Sequence, residues 1–289
     1  MRAVRLTESG LRLEQIDTPE PGAGDALVRV RAAAITKDEL EWPVDRLPAI
    51  PSYELSGEVV ALGLDANGVA VGDEVYALAD FGRDGAAADF AVVAAALLAP
   101  KPRSLDHVAS AAIPLATVSA WQGLFDHGRL EAGHRVLILG ATGGVGHFAT
   151  QLARHRGAHV IAAASNADAA KALGAHQVVD ARRERIEDAV EPVDLVFDTV
   201  GAELLERASA VVRADGRMVS LVTEPAPPGI YFVVEPNREQ LEKITTLVDD
   251  SELRPEIDSV YLLEEARAAF ERSLAPGKRG KVVLRVSDW

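Results

Sequence analysis

The chain has no cysteine among its 289 residues. Disulfides, a thiolate-held zinc and a cysteine nucleophile are therefore excluded. Aromatic residues are scarce, at 5%, so alanine, valine and leucine must build the core. Positive charge is outnumbered: 30 lysines and arginines face 44 acidic residues, a formal net charge of −14. No basic field is available to attract nucleic acid or an anionic membrane, and neither is expected as a partner. Long apolar runs are missing too. The longest, Ala91 to Ala99, is too short to cross a bilayer. The first residues, MRAVRLTESG, turn polar at once and lack a secretory pattern. A soluble, cytoplasmic protein of one or two domains is expected, long enough to bury its own core without staples.

What is present is organised around Arg135 to Ser165. An apolar run, Val136 to Leu139, leads into a turn containing Gly140, Gly143, Gly144 and Gly146. A helical pattern follows, with Val145, Phe148, Ala149 and Leu152 on one face, and a second apolar run, Val160 to Ala164, closes the unit. Strand, tight turn, helix, strand is the context that a dinucleotide fingerprint requires. Glycine lets the chain turn sharply and lets backbone amides approach a pyrophosphate, while the helix N-terminus offers unpaired donors and partial positive charge. The flanking strands favour a nucleotide site over a turn that merely packs a helix on a sheet.

The rest of the chain divides around this unit. Residues 1 to 100 read as β-rich, with strand candidates at 26–31, 57–62, 73–78 and 89–94 separated by glycine, proline and aspartate. That pattern suits an antiparallel barrel or sandwich. Ser104 to Phe125 looks helical, with a break near Pro114. From 135 to about 235, strands at 177–180, 194–198, 217–222 and 230–234 alternate with helix candidates, which predicts an α/β, doubly wound parallel sheet. A helix is expected at 238–249. A strand at 257–262, a helix at 264–274 and a strand at 281–286 end the chain.

The carrying stretches are Leu47 to Val59, Ala70 to Tyr76, Ile113 to Trp121, Gly140 to Gly146, Asp198 to Gly201, and Gly280 to Leu284. In this order they resemble the medium-chain dehydrogenase/reductase superfamily, and most of all its zinc-independent, NADPH:quinone oxidoreductase-like branch. The resemblance runs from end to end. It implies a GroES-like β-barrel catalytic domain from residues 1–115 and 252–289, and a Rossmann NADP-binding domain from 116–251. It also implies a homodimer, joined through the edge strand around Tyr231–Val234. Where the family's zinc ligands would fall, this chain has Thr36, Tyr53 and the neighbourhood of Leu115, and one surviving carboxylate, Glu54, holds no zinc. Zinc-assisted alcohol chemistry is therefore not expected.

The cofactor is read from the second strand's end. NAD-binding relatives place an acid there for the ribose hydroxyls. This chain has Ala163, Ala164 and Ser165, which leaves room for the 2′-phosphate of NADP(H). Ser165 could donate to that phosphate, and Lys171, Arg182 and Arg183 are nearby cations. Asp168 looks like an ordinary first-turn helix acid, and Ala181 stands where relatives carry a tyrosine. The resemblance also carries over Gly143, Gly144 and Val145 at the pyrophosphate, Ser119 toward the phosphates, and Thr199, Val200, Leu221, Val222, Phe232 and Val233 at the nicotinamide end. For the apolar members of this set, core packing is the competing role.

Hydride transfer without a metal suits a quinone or another α,β-unsaturated carbonyl, whose charge delocalises onto an oxygen that still needs a donor. Tyr53 is the leading donor candidate, or else it fills the space of the lost metal; Thr36 is the second candidate. Trp42 walls the pocket or packs in the core, and Glu39 is expected to fix its loop by hydrogen bonding. His147, at the start of the fingerprint helix, reads as structural. Two alternatives stay open. One is reduction of an enoyl or alkenal double bond, and the other is an NADPH-binding sensor without useful turnover.

Overall fold

The computed structural model describes residues 1–43 and 46–287. Val44, Asp45, Asp288 and Trp289 lie outside the described residues; the last two end the segment expected to complete the GroES-like domain. The chain forms two compact units.

Unit 1 begins with seven strands: β1 (Arg2–Thr7), β2 (Gly10–Gln15), β3 (Asp25–Ile35), β4 (Glu54–Leu62), β5 (Glu74–Leu78), β6 (Phe90–Ala94) and β7 (Ala99–Pro100). Helix α1 (His107–Ala111) follows, with Asp106 accepting the Ala109 amide as its N-cap. The alternation seen at 26–31 ends at Arg31, after which Ala32 to Ile35 are all buried, and this strand organises the unit. It pairs antiparallel with β4 and with β6. The hairpin β1–β2 was not anticipated from the sequence; Arg5 on β1 opposes Arg12 and pairs with Glu14, so little apolar periodicity advertises it. The core is built from Val28, Val30, Leu55, Val59 and Leu98 with Phe270 and Leu284, largely aliphatic, as the composition requires.

Unit 2 begins in α2 (Pro114–Trp121) and runs on through a π-helical turn, Gln122–His127. It then alternates β8 (Arg135–Leu139), α3 (Gly146–His155), β9 (His159–Ala163), α4 (Ala167–Ala172), β10 (Gln177–Val179), α5 (Ile186–Ala189), β11 (Val193–Asp198), α6 (Ala202–Ser209), β12 (Val212–Ser220) and β13 (Ile230–Tyr231). The six strands are parallel in the order β10-β9-β8-β11-β12-β13. The order reverses at β8, the strand that leads into the glycine turn, and this is where open parallel sheets place their ligands.

The chain then returns to unit 1 with α7 (Arg238–Asp249), β14 (Ile257–Leu262), α8 (Ala266–Leu274) and β15 (Lys281–Arg285). Strand β15 joins β3 antiparallel and β14 joins β15 parallel, completing a seven-stranded sheet. This parallel pair departs from the all-antiparallel expectation. The boundary also differs from the expected 116–251. Helix α7 belongs to unit 1, because the Tyr76 hydroxyl meets the Leu241 carbonyl at 2.7 Å and Thr245 Oγ1 at 2.8 Å, and Asp249 accepts from Ser104. Glu252–Arg254 instead belong to unit 2, where the Gln151 side chain bonds both backbone groups of Arg254. An amphipathic helix declares that it has a buried face, not what covers it.

Candidate functional site

Because all six strands of unit 2 are parallel, their carboxyl ends lie on one side of the sheet, and most of the expected cofactor residues follow one of those ends. Gly143, Gly144 and Val145 follow β8; Ser165 follows β9; Arg182 follows β10; Thr199 and Val200 follow β11; Leu221 and Val222 follow β12; Phe232 and Val233 follow β13. Ser119 is placed differently, buried in α2. Lys171 sits exposed in the last turn of α4.

The glycine turn is built by close approach. Gly140 has φ +77°, and a Cβ there would sit 2.6 Å from Thr199 Oγ1. A Cβ on Gly146 would come within 2.0 Å of the Gly140 carbonyl oxygen. Only glycine tolerates both demands. Thr199 donates its hydroxyl to the Leu139 carbonyl at 2.8 Å, tying the ends of β8 and β11 together. The amides of Gly144 and Val145, half exposed, have no acceptor among the described residues. With the first turn of α3 beside them, they form a cradle of donors that fits a pyrophosphate.

Three of the apolar residues expected at the nicotinamide end are exposed rather than packed in the core. Val200 is 46% exposed, Val222 50% and Val233 61%. Phe232 is buried, 4.4 Å from His127 between ring centroids. A network not foreseen from the sequence holds this rim. Buried Asp198 accepts from the Val200 and Gly201 amides at 2.9 Å and from the Ser220 hydroxyl at 2.7 Å. Ser220 Oγ in turn accepts from the Val222 and Thr223 amides. One carboxylate thus shapes two loops, through hydrogen bonds strengthened by its charge.

At the adenosine end Ser165 is exposed and no acid follows Ala163 directly. Arg182 is committed elsewhere: it grips Asp180 through two bonds of 3.0 Å and holds that carboxyl below its ordinary range. Arg183 pairs with the same carboxylate at 3.5 Å.

Unit 1 gathers the residues at the former metal positions. Thr36 directly follows β3, ahead of the turn, and Glu54 opens β4. Glu39 is buried and accepts the Thr36 amide at 2.8 Å and the Ser52 amide at 2.9 Å. It thereby stitches the segment after β3 to the one before β4, in the loop-fixing role expected of it. Ser52 takes the left-handed conformation, φ +68°, under that grip. Burial pushes the Glu39 carboxyl up to about 7. Tyr53 packs against Trp42 and Phe81, with centroids 6.1 and 5.2 Å away. Burial first, and the Glu39 charge second, raise its phenol above the ordinary value. A phenol raised in this way stays protonated and able to donate.

Lys281 was missed. Its ammonium lies 2.5 Å from Glu54 Oε1 and 3.3 Å from Thr36 Oγ1. The other Glu54 oxygen accepts the Leu115 amide at 2.9 Å. A lone lysine opening a terminal strand reads as a solvated charge; only the pairing of β15 with β3 brings it to Glu54. Among the described residues no group of three or more His, Cys, Asp or Glu side chains is placed to hold a metal ion.

Family models match two segments: an alcohol dehydrogenase GroES-like domain over residues 22–103 and a zinc-binding dehydrogenase over 173–284. Among the described residues the zinc of the second description has no ligand set. Over 98% of the chain and 79% of the relative, the sequence is 33% identical to the 2-methylene-furan-3-one reductase of Solanum lycopersicum. It is 33% identical to the chloroplastic NADPH-dependent alkenal/one oxidoreductase of Arabidopsis thaliana, over 95% of the chain and 75% of the relative. Among solved structures, the quinone oxidoreductase from Coxiella burnetii superposes with a TM-score of 0.93 at 30% identity, covering 99% of both chains. A GroES-like unit, a parallel-sheet unit with its glycine turn at the switch point, and these relatives agree: the chain is an oxidoreductase of the medium-chain dehydrogenase/reductase superfamily, in its quinone oxidoreductase-like branch.

Proposed function

We propose that this protein is an NADPH-dependent, zinc-free reductase that transfers hydride to a quinone or a related α,β-unsaturated carbonyl. The observation that carries the reading is the cradle of unpartnered amides at Gly144 and Val145, set at the reversal of the sheet order and backed by exposed apolar residues on the neighbouring strand ends. Gly143, Gly144 and Val145 hold the pyrophosphate; Ser165 and Lys171 meet the 2′-phosphate; Thr199, Val200, Leu221, Val222, Phe232 and Val233 border the nicotinamide. When bound, that ring supplies the hydride.

The chain's own residues supply the rest. The apolar rim keeps water from the reacting ring. Thr36 and Tyr53 are the donors for the oxygen that takes up charge. A conjugated acceptor spreads that charge, so hydroxyl donors suffice where a plain ketone needs a metal. The names of the relatives support both acceptor classes, alkenals and enones on one side and quinones on the other.

Oxidation of NADPH and NADH, followed by absorbance with 1,4-benzoquinone and with cyclohex-2-enone, tests this. Acceptor-dependent turnover that prefers NADPH is expected. Binding of NADPH without turnover of any acceptor in a broad panel would instead establish a sensor. We also infer a cytoplasmic homodimer paired along β13, the edge of its sheet, where Tyr231 and Val233 are uncovered; a single-chain mass in solution would overturn the pairing.

A further inference from the structure

Lys281 has no part in the reduction as described so far. Its side chain is 3% exposed and that of its partner Glu54 is 0% exposed. So complete a burial is weak evidence for stability, because desolvation offsets most of the attraction between the charges. The geometry has another consequence. An ammonium has three donors and no acceptor, so toward Thr36 Oγ1, 3.3 Å away, Lys281 can only donate. The Thr36 hydroxyl proton is then left for a different acceptor. Glu54 Oε1 accepts it only across a long contact of 3.5 Å, at the outer limit of a hydrogen bond, because the same oxygen is drawn to Lys281 at 2.5 Å. Glu54 Oε2 is engaged by the Leu115 amide, and the Thr36 amide by Glu39. Thr36 itself is only half buried.

On the reductase reading above, we propose that Lys281 is a positioning residue: it occupies Glu54 and donates to Thr36, so that the Thr36 hydroxyl is free to donate to the carbonyl oxygen of the substrate. As hydride arrives at the β-carbon, the π electrons shift onto that oxygen. The Thr36 O–H bond strengthens its hydrogen bond without breaking, and the resulting enolate takes its proton from water. A hydroxyl that receives a hydrogen bond from a cation donates a stronger one. Without Lys281, Glu54 would capture the Thr36 proton and the donor would be lost.

The need for this donor depends on the acceptor. A simple enone concentrates charge on one oxygen, whereas 1,4-benzoquinone gains aromatic character on reduction and needs less help. Steady-state kinetics of the full chain with NADPH and each acceptor therefore provide the test. Thr36→Val should lower kcat for cyclohex-2-enone about 100-fold, and for 1,4-benzoquinone by a clearly smaller factor. Thr36→Ser should restore most of the loss. Lys281→Met should lower enone kcat by about 10-fold or more, Lys281→Arg should retain more of it, and Thr36→Val/Lys281→Met should be no worse than Thr36→Val alone.

A second readout needs no turnover. The infrared carbonyl stretch of cyclohex-2-enone bound with NADP+ should move to lower wavenumber, and the shift should shrink in both single variants. If Lys281→Met does not fold, Lys281→Met/Glu54→Gln leaves no charge unpaired and takes its place. Losses that multiply between Thr36 and Lys281, equal losses for both acceptors, or an unchanged carbonyl stretch would each overturn the role of Lys281 while leaving the reductase reading standing. Failure of the unaltered protein to reduce either acceptor would overturn both.

Discussion

On the NADPH reading, Ser165 matters for what it is not. An acid at the end of β9 would meet the ribose hydroxyls, and the hydroxyl found there can meet a phosphate. Ser165→Asp should raise the KM for NADPH by about 10- to 100-fold, the value of a hydrogen bond to a charged group, and improve NADH relative to it; unchanged KM values for both would remove Ser165 from the site. Glu39 makes a second prediction. Its carboxyl is pushed up to about 7 by burial, above the value it has in the unfolded chain. The stability linked to it is complete below the ordinary glutamate range and declines as pH climbs through about 7. A carbon-13 titration of labelled glutamates, with Glu39→Gln assigning the signal, should find one carboxyl with a midpoint near that value. A midpoint in the ordinary range would mean that water reaches it.

At the scale of elements, the glycine turn and helix α7 each hang on a few atoms. Gly146→Ala places a methyl group 2.0 Å from the Gly140 carbonyl oxygen, so α3 must move off β8. A loss of about 2–4 kcal/mol is expected, read from the urea midpoint, together with weakened NADPH binding. Tyr76→Phe removes the hydroxyl that meets the Leu241 carbonyl and Thr245 and should cost about 1–3 kcal/mol; an unchanged midpoint would mean that α7 is held by its apolar face alone. These elements differ in how well they could be read beforehand. Strands β8 to β11 are short, mainly apolar runs with helices between them, and their limits were legible to within a residue; β12 begins five residues before the expected 217, in a polar, exposed stretch that carries no apolar signal. The glycine turn was legible because its spacing follows from close approach. The allegiance of α7, the hairpin β1–β2 and the Asp198–Ser220 network were not, since each depends on partners distant in sequence. The same holds for Lys281, whose burial exists only once β15 lies beside β3.

For the whole molecule, binding a ligand to the native state alone raises its stability by mass action. NADPH at about 100 times its Kd should add about 2.7 kcal/mol, seen as a higher unfolding temperature, and NADH at the same concentration should add less. Equal shifts would argue against discrimination at the 2′ position.

The order of the chain has a further meaning. Unit 2 is almost one unbroken stretch, whereas unit 1 waits for β14 and β15, which arrive last. On a ribosome the parallel sheet can be assembled while the first sheet is still missing two strands. Glu54, made early, must remain hydrated until β15 delivers Lys281. The last strand therefore brings both a backbone partner for β3 and the counter-charge for the proposed active site. A chain cut short before it would lack both at once, so a defective product would fail in folding rather than persist as a folded but impaired enzyme.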